Sequence, residues 1–267
     1  MPFQIINAKR LFYIDTPSTS PSSRTTLFIH GLGSSSWFYS TIIPSLASQT
    51  RCVALDTPGS GLSELGAQEQ CIESIAGDAI ALLDALEVKE VVAVGHSMGG
   101  IVASWLAAEY PARVKGVVLL GPVNPAPGLA EVFGKRVHVV KAGTTDGLEP
   151  LANTIPSSAT GRRSTPLQHA FVRSLILGTS PGGYVSLCNA IAKATQPRYE
   201  TIDVPLLILA GEDDKTAPLD SSKTIADSYG TGDGEKSVQV LKGVGHWHCV
   251  EAAEEIATAV GSFLRKW

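Results

Sequence analysis

No apolar run in this chain approaches the roughly 18 residues a membrane-crossing helix needs; the longest are strand-sized. Residues 1–7 lack the charged start and apolar core of a secretory leader, so an intracellular, cytoplasmic protein is expected. Basic charge is not in excess. Lys and Arg number 21 against 25 Asp and Glu, for a net charge of −4, and no basic stripe is visible. Nucleic acid is therefore not an expected partner, because neutralised phosphates supply much of that affinity. Cysteine is scarce: Cys52, Cys71, Cys188 and Cys249 are scattered without a C-x-x-C, which reads as four free thiols. His138 and His169 lack ligand spacing, and no metal site is expected. Internal repeats are absent too. Charged residues make up only 17% against 44% hydrophobic, which excludes global disorder and leaves material for a large core in 267 residues.

What is present is a rhythm. Residues 3–6 and 11–14 read as a short hairpin, and 16–26 as a Ser/Thr/Pro-rich surface loop. A buried strand over 25–30 ends at Gly31-Leu32-Gly33, and a helix is expected over 37–48. A strand over 51–55 ends at Asp56 and the turn 57–61. Ile72, Ile75, Ala76, Ala79, Ile80, Leu83 and Leu86 fall at helical spacing. Val91-Val92-Ala93-Val94 is a strand running into Gly95-His96-Ser97-Met98-Gly99-Gly100, and a helix follows to about Tyr110, before Pro111. Residues 114–120 form another buried strand. Strands over 204–210 and 238–241 alternate with helices over 218–229 and 249–267. Apolar strands without alternation, separated by helices, mean an α/β fold: a mostly parallel eight-stranded sheet with helices on both faces. The rhythm breaks after Pro122. Residues 123–199 carry weak helix patterns and a Gly/Pro/Ser-rich stretch at 155–166, and read as a helical cap inserted into a core made of 1–122 and 200–267.

In open parallel sheets ligands bind beyond the carboxyl ends of the strands. Gly95-His96-Ser97-Met98-Gly99 is a G-x-S-x-G between strand and helix, the pattern of a nucleophile elbow. A later strand ends at Gly211-Glu212-Asp213-Asp214, and the last at Gly243-Val244-Gly245-His246. Serine, acid and histidine thus appear in that chain order at strand ends. A serine hydroxyl needs a base, His246, and the base needs a carboxylate to fix its tautomer. Asp213 and Asp214 both stand where that acid belongs.

These motifs, with His30-Gly31-Leu32-Gly33 and Asp56-Thr57-Pro58-Gly59-Ser60-Gly61, resemble the α/β-hydrolase superfamily over nearly the whole chain. A narrower resemblance lies in Thr179-Ser180-Pro181-Gly182-Gly183-Tyr184 with Cys188-Asn189-Ala190-Ile191, which is similar to the cap segment of 3-oxoadipate enol-lactonases. The residue before the serine and the His30-Gly31 pair depart from bacterial members of that group. The resemblance favours Asp214 as the acid. Members that carry the acid one strand earlier would place it at 121–124, where this chain has no carboxylate. It also implies an oxyanion hole built from the main-chain N–H groups of Met98 and Leu32.

Other residues take quieter readings. His30 braces the oxyanion loop, His96 lines the pocket or packs beneath it, His248 is a surface or packing residue, and Asp56 organises its loop. Trp37, Phe38 and Trp247 are candidates for an apolar pocket wall. Lys135-Arg136 and Arg162-Arg163 read as solvated pairs, with an arginine available should the substrate carry a carboxylate. The expected function is hydrolysis of a small ester or lactone, an enol-lactone by the narrower resemblance. No cofactor is expected, nor any membrane partner, and the protein is a monomer or small homo-oligomer. Carbon–carbon bond hydrolysis or perhydrolysis on the same residues, and a weakly catalytic ligand receptor, are the alternatives. Epoxide hydrolysis and dehalogenation are disfavoured, because related enzymes of those kinds carry aspartate where Ser97 stands.

Overall fold

The computed structural model describes residues 2–20, 24–143 and 147–266. The middle of the loop expected over 16–26, part of the insertion and the final Trp267 lie outside them. Eight strands form one sheet in the order β1-β2-β4-β3-β5-β6-β7-β8. β1 (Phe3–Ile6) and β2 (Lys9–Thr16) pair antiparallel, and β2 pairs antiparallel with β4 (Thr50–Leu55). β3 (Arg24–Ile29), β4, β5 (Val91–His96), β6 (Val114–Leu120), β7 (Leu206–Gly211) and β8 (Lys236–Leu241) run parallel. β5 is buried at every residue, as its unalternating Val-Val-Ala-Val start requires of a strand covered on both faces.

The helices in chain order are α1 (Ile43–Leu46), α2 (Ile72–Ala85), α3 (Met98–Glu109), α4 (Leu129–Ala142), α5 (Glu149–Ala159), α6 (Pro166–Leu177), α7 (Pro181–Lys193), α8 (Leu219–Ser228), α9 (His248–Glu251) and α10 (Ala253–Leu264). α2 and α3 pack together on one face, and α1 packs on α10. β6 shows both layers: a Cβ on Gly116 would meet Phe263 of α10, whereas Leu119 reaches Gly100 of α3.

Two differences from expectation concern the first and last helices. Residues 37–48 hold one 3-10 turn, Ser36–Tyr39, and then the short α1. The Ser36 N–H donates to Asp56 Oδ1 at 2.6 Å and the Tyr39 hydroxyl to the Ile29 carbonyl at 2.8 Å. These bonds pin a tight turn, and Pro44 then starts α1 where its missing N–H does no harm. The closing helix is broken at Ala252 (φ −140°, ψ 46°), separating α9 from α10.

α4 to α7 all fall between β6 and β7, with α4 against α7 and α5 against α6. α5 runs to Ala159 with Pro156 inside it, so the stretch at 155–166 is helical in its first part. Two backbone-on-backbone contacts seat these helices on the sheet domain. Gly183 lies so close to Gly59 that a Cβ on it would stand 2.1 Å from the Gly59 carbonyl oxygen. Gly161 meets the 243–245 loop in the same way, a Cβ there falling 2.3 Å from the Gly243 oxygen.

Candidate active site

Ser97 stands between β5 and α3 with φ 55° and ψ −117°, a conformation a residue with a side chain adopts only when its surroundings impose it, at a cost of about 1–3 kcal/mol. The surroundings are two glycines. A Cβ on Gly95 would sit 2.2 Å from the Gly99 oxygen, and one on Gly99 would sit 2.0 Å from the Ile29 oxygen. Any larger residue at either place forces the bend open.

His246, in the loop after β8, reaches Ser97. Its Nδ1 lies 2.8 Å from Asp214 Oδ2 and its Nε2 2.9 Å from Ser97 Oγ. The tautomer follows from the acid. Burial pushes the Asp214 carboxyl up, but the His246 and His248 rings and the hydrogen bonds it accepts outweigh that and hold it below the ordinary carboxylate range. An ionised carboxylate only accepts. His246 therefore carries its proton on Nδ1 and donates it to Asp214, which leaves Nε2 to accept from the serine hydroxyl. Asp214 Oδ1 accepts from the Thr216 and Ala217 N–H groups, each at 2.8 Å. Asp213, the neighbouring acid, faces outward and pairs with Arg162.

The other histidines near the site brace main chain. His30 Nε2 accepts from the Thr57 N–H at 3.0 Å, so Nδ1 is the protonated nitrogen and donates to the Gly31 oxygen at 2.8 Å. That carbonyl opens the loop carrying Leu32. His96 Nε2 and His248 Nδ1 both donate to the main-chain oxygen of His246, at 2.7 and 2.9 Å. Both rings are buried, and burial pushes both pKa values down, that of His248 to about 4. Asp56 organises its loop by accepting from the Ser36 and Leu62 N–H groups. Glu251 ties the His246 loop to the insertion. Its Oε2 accepts from Gly161 N–H at 2.6 Å and Gly245 N–H at 2.9 Å, and its Oε1 from Trp247 N–H at 2.9 Å. Burial raises its pKa against those three bonds.

Beside Ser97 lies a narrow cavity of about 30 Å³, room for one or two waters. Its wall includes Leu32, Ser97, His246, Trp247 and Thr216 from the sheet domain, and Phe133, Arg136 and Tyr184 from the insertion. Met98, expected to supply one N–H donor, is the first residue of α3, and Leu32, expected to supply the other, follows Gly31, on which a Cβ would lie 2.8 Å from the Ser97 Cβ.

Three of the four pocket candidates stand elsewhere. Trp37 is 52% exposed and sits over Phe12, Ile14 and Ile43 on the outside of the sheet domain. Phe38 is fully buried and stacks on His96, with ring centroids 4.3 Å apart. The 3-10 turn capped by Ser35 is responsible: it sends adjacent aromatics to opposite sides. His96, held by Phe38 and the His246 carbonyl, packs beneath the site and does not line the cavity. Only Trp247 is in the wall.

The basic pairs divide. Lys135 bridges to Glu131, Arg162 to Glu212 and Asp213, and Arg163 to Glu255, all at the surface. Arg136 turns into the cavity wall. Arg136, which the sequence reads as one of a solvated pair, is thus a correction, and Phe133 and Tyr184 join it as wall residues that the sequence does not single out. A signal was there: Phe133, Arg136, Val137 and Val140 have i, i+3, i+4, i+7 spacing, which puts one arginine on the inward stripe of α4. Among the described residues no group of three or more His, Cys, Asp or Glu is placed to hold a metal, and no helix is long and apolar enough to cross a membrane.

Comparison with known proteins agrees with this architecture. A family model described as "alpha/beta hydrolase fold" matches residues 26–253. The chain is 30% identical over 265 residues to the 2-hydroxymuconate semialdehyde hydrolase of a Pseudomonas species, covering 89% of this chain and 86% of the relative. It is 29% identical over 197 residues to 3-oxoadipate enol-lactonase 2 of Acinetobacter baylyi, 70% of each chain. The crystal structure of the enol-lactonase from Burkholderia xenovorans superposes with a TM-score of 0.89 at 25% identity, over 99% of this chain and 100% of that one.

Proposed function

The chain belongs to the α/β-hydrolase family, and from that premise we propose that it is a serine hydrolase that opens a small ester or lactone through an acyl-enzyme. The observation that carries the proposal is the continuous relay from Asp214 through His246 to Ser97, two hydrogen bonds of 2.8 and 2.9 Å ending on a serine held in a strained elbow. Ser97 Oγ attacks the carbonyl carbon while its proton passes to His246 Nε2. The N–H groups of Leu32 and Met98 receive the oxyanion, each such donor being worth about 2.7–4 kcal/mol in the transition state. The carbonyl carbon–oxygen bond to the leaving group breaks, and the leaving oxygen takes the proton from His246. In a lactone that oxygen stays tethered to the acyl chain. Water then attacks the acyl carbon, giving its proton to His246, and Ser97 leaves as the hydroxyl with that proton restored. The route needs no cofactor. In this reading residues 123–199 cap the site and set its selectivity.

Relatives named as enol-lactonases support the lactone branch of this reading. The 30% identity to a 2-hydroxymuconate semialdehyde hydrolase favours a second reading, hydrolytic cleavage of a carbon–carbon bond by the same three residues. A fluorophosphonate probe tests the nucleophile. Labelling of the wild type and none of Ser97→Ala is expected; equal labelling, or none in either, overturns the proposal. A panel of esters, enol-lactones and vinylogous diketones then separates the two readings, and a receptor would turn over none of them.

A further inference from the structure

His96 ends β5, one residue before Ser97, and is only 2% exposed. It takes no step in the proposed chemistry, yet its ring touches each segment that has to meet there. Its Nε2 lies 2.7 Å from the main-chain oxygen of His246; a carbonyl only accepts, so Nε2 carries the proton. Its Nδ1 stands against the loop that leads to Leu32, where a Cβ on Gly31 would fall 2.9 Å from it and 2.8 Å from the Ser97 Cβ. Phe38 lies against the ring, with centroids 4.3 Å and planes 23° apart, and fixes its orientation.

Ser97 and His246 are 149 residues apart in the chain, so their separation has to be set by main chain that packing brings together. The Ser97 N–H donates to the Leu120 carbonyl at 3.0 Å, which anchors the serine in the sheet. The peptide between His246 and Trp247 is held at its N–H by Glu251 and at its oxygen by His96 and His248. Glu251 and His248 belong to α9, the stretch of chain just after the base. Of the three, His96 alone comes from the strand that carries the nucleophile. One imidazole thus spans from the residue beside Ser97 to the main chain of His246, and an imidazole has no internal torsion, so the span is rigid. Burial, and then the His246 and His248 rings, hold the His96 pKa well below its ordinary value, which keeps the ring neutral. A cation at that place, with ring centroids 4.9 Å apart, would oppose the charge His246 gains on taking the serine proton; a neutral donor does not.

We propose that His96 is a positioning residue, a strut that sets the separation of Ser97 Oγ and His246 Nε2 by tying the His246 carbonyl to the end of β5. Its effect on rate rests on the serine-hydrolase reading; the strut itself is testable without turnover. The two atoms stand 2.9 Å apart, within reach of direct proton transfer. A misplacement of about 1 Å at such a site can cost about 10²-fold in rate. The loss is expected in kcat and not in KM, because the ring lies outside the cavity wall.

Three variants separate reach from bulk. His96→Leu fills the space without a donor, His96→Asn carries a donor that stops short of the carbonyl, and His96→Gln carries one near the Nε2 position. Rates of para-nitrophenyl acetate hydrolysis are taken per Ser97 labelled by a fluorophosphonate, which removes misfolded protein from the count. In His96→Leu and His96→Asn, kcat is expected to fall about 10- to 100-fold with KM within about twofold, and His96→Gln to recover part of the loss. Equal kcat in all four proteins, a loss confined to KM, or a His96→Gln no better than His96→Asn overturns the strut. The second test reads the proton on His246 Nδ1, held against Asp214, by magnetic resonance of protein carrying isotope-labelled histidine, with the signal assigned by its loss in His246→Gln. Its exchange with solvent is expected to quicken about tenfold or more in His96→Leu and to return toward wild type in His96→Gln. An unmoved exchange rate overturns the strut whatever the kinetics show. A wild type that neither labels nor turns over, beside an exchange rate that depends on His96, would instead refute the hydrolase reading and leave the strut standing.

Discussion

Acidification should unfold this protein through histidines that play no part in the proposed chemistry, and His248 allows the size of the effect to be worked out. Its ring is fully buried, donates Nδ1–H to the His246 carbonyl at 2.9 Å, and leaves Nε2 without a partner. Burial lowers its pKa most. The nearby Asp214 carboxylate pulls it back up and the His246 ring pushes it down again, to reach about 4 against 6.5 in the open chain. The folded pKa is the depressed one. As the pH drops, the unfolded chain therefore takes the proton first, and stability present above about 6.5 is lost progressively down to about 4. A difference of roughly 2.5 units at 1.36 kcal/mol each gives a loss of about 3 kcal/mol from this one ring, a large part of an ordinary domain's stability. The assay is urea unfolding between pH 7.5 and 4 for the wild type and His248→Asn, whose amide keeps a donor near the Nδ1 position. The variant starts lower at neutral pH, because packing is lost, and then falls less steeply. His30 is depressed in the same direction and cancels in the comparison, whereas His96 loses the part of its depression that the His248 ring supplies, which flattens the variant's curve further. Two curves that stay parallel across this range would refute the reasoning.

The glycine contact between insertion and sheet domain predicts an asymmetric pair of variants. Gly183→Ala, whose Cβ would fall 2.1 Å from the Gly59 oxygen, should cost about 1–3 kcal/mol and lower the melting temperature by several degrees. Gly182→Ala, whose Cβ meets only Leu65 at 3.4 Å, should not; equal melting temperatures would show that the contact gives way freely. At the acid, Asp214→Asn should lower kcat by about 10³–10⁴-fold, while Asp213→Ala, which removes only a surface partner of Arg162, should leave ester turnover close to wild type. The reverse ranking in a steady-state assay would move the acid by one residue. Because the Asp214 carboxyl is held low, its contribution to stability is present above the ordinary carboxylate range and is lost as the pH falls through its folded value.

Much of the sheet is readable in advance because a buried parallel strand announces itself locally. Val91-Val92-Ala93-Val94 is apolar and largely β-branched without alternation, and glycines that tolerate the elbow follow directly. Ser97, Asp214 and His246 are readable for a related reason. Each sits just past such a strand, so the sheet alone brings them to one edge. Trp37 and Phe38 show where this stops. They are adjacent and chemically alike, and only the tertiary bonds from Ser36 to Asp56 and from Tyr39 to Ile29 decide that one faces outward and the other packs under His96. The cavity wall escapes for the same reason. Phe133, Arg136 and Tyr184 stand on α4 and α7, whose inward direction is set by packing against each other and by the Gly59–Gly183 contact some 120 residues apart in the chain.

That division has a consequence for the proposed base. His246 arrives at the site on a loop of the sheet domain, yet the insertion holds that loop. Its own N–H donates to the Ala159 carbonyl at 2.7 Å, at the end of α5. Glu251 then clamps Gly161 and Gly245 with a single carboxylate oxygen, each N–H within 2.9 Å. The His96 and His248 rings take up the carbonyl side of the same residue. The main chain of His246 is thus fixed at its N–H by the insertion and at its oxygen by the core, leaving the imidazole to turn only about its side-chain bonds between Asp214 and Ser97. An insertion that served only as a cover could be shed without moving the base. Here, displacing the end of α5 would remove the acceptor of the His246 N–H and a donor to Glu251 together, so the position of the proposed base depends on the same few hydrogen bonds that hold α5.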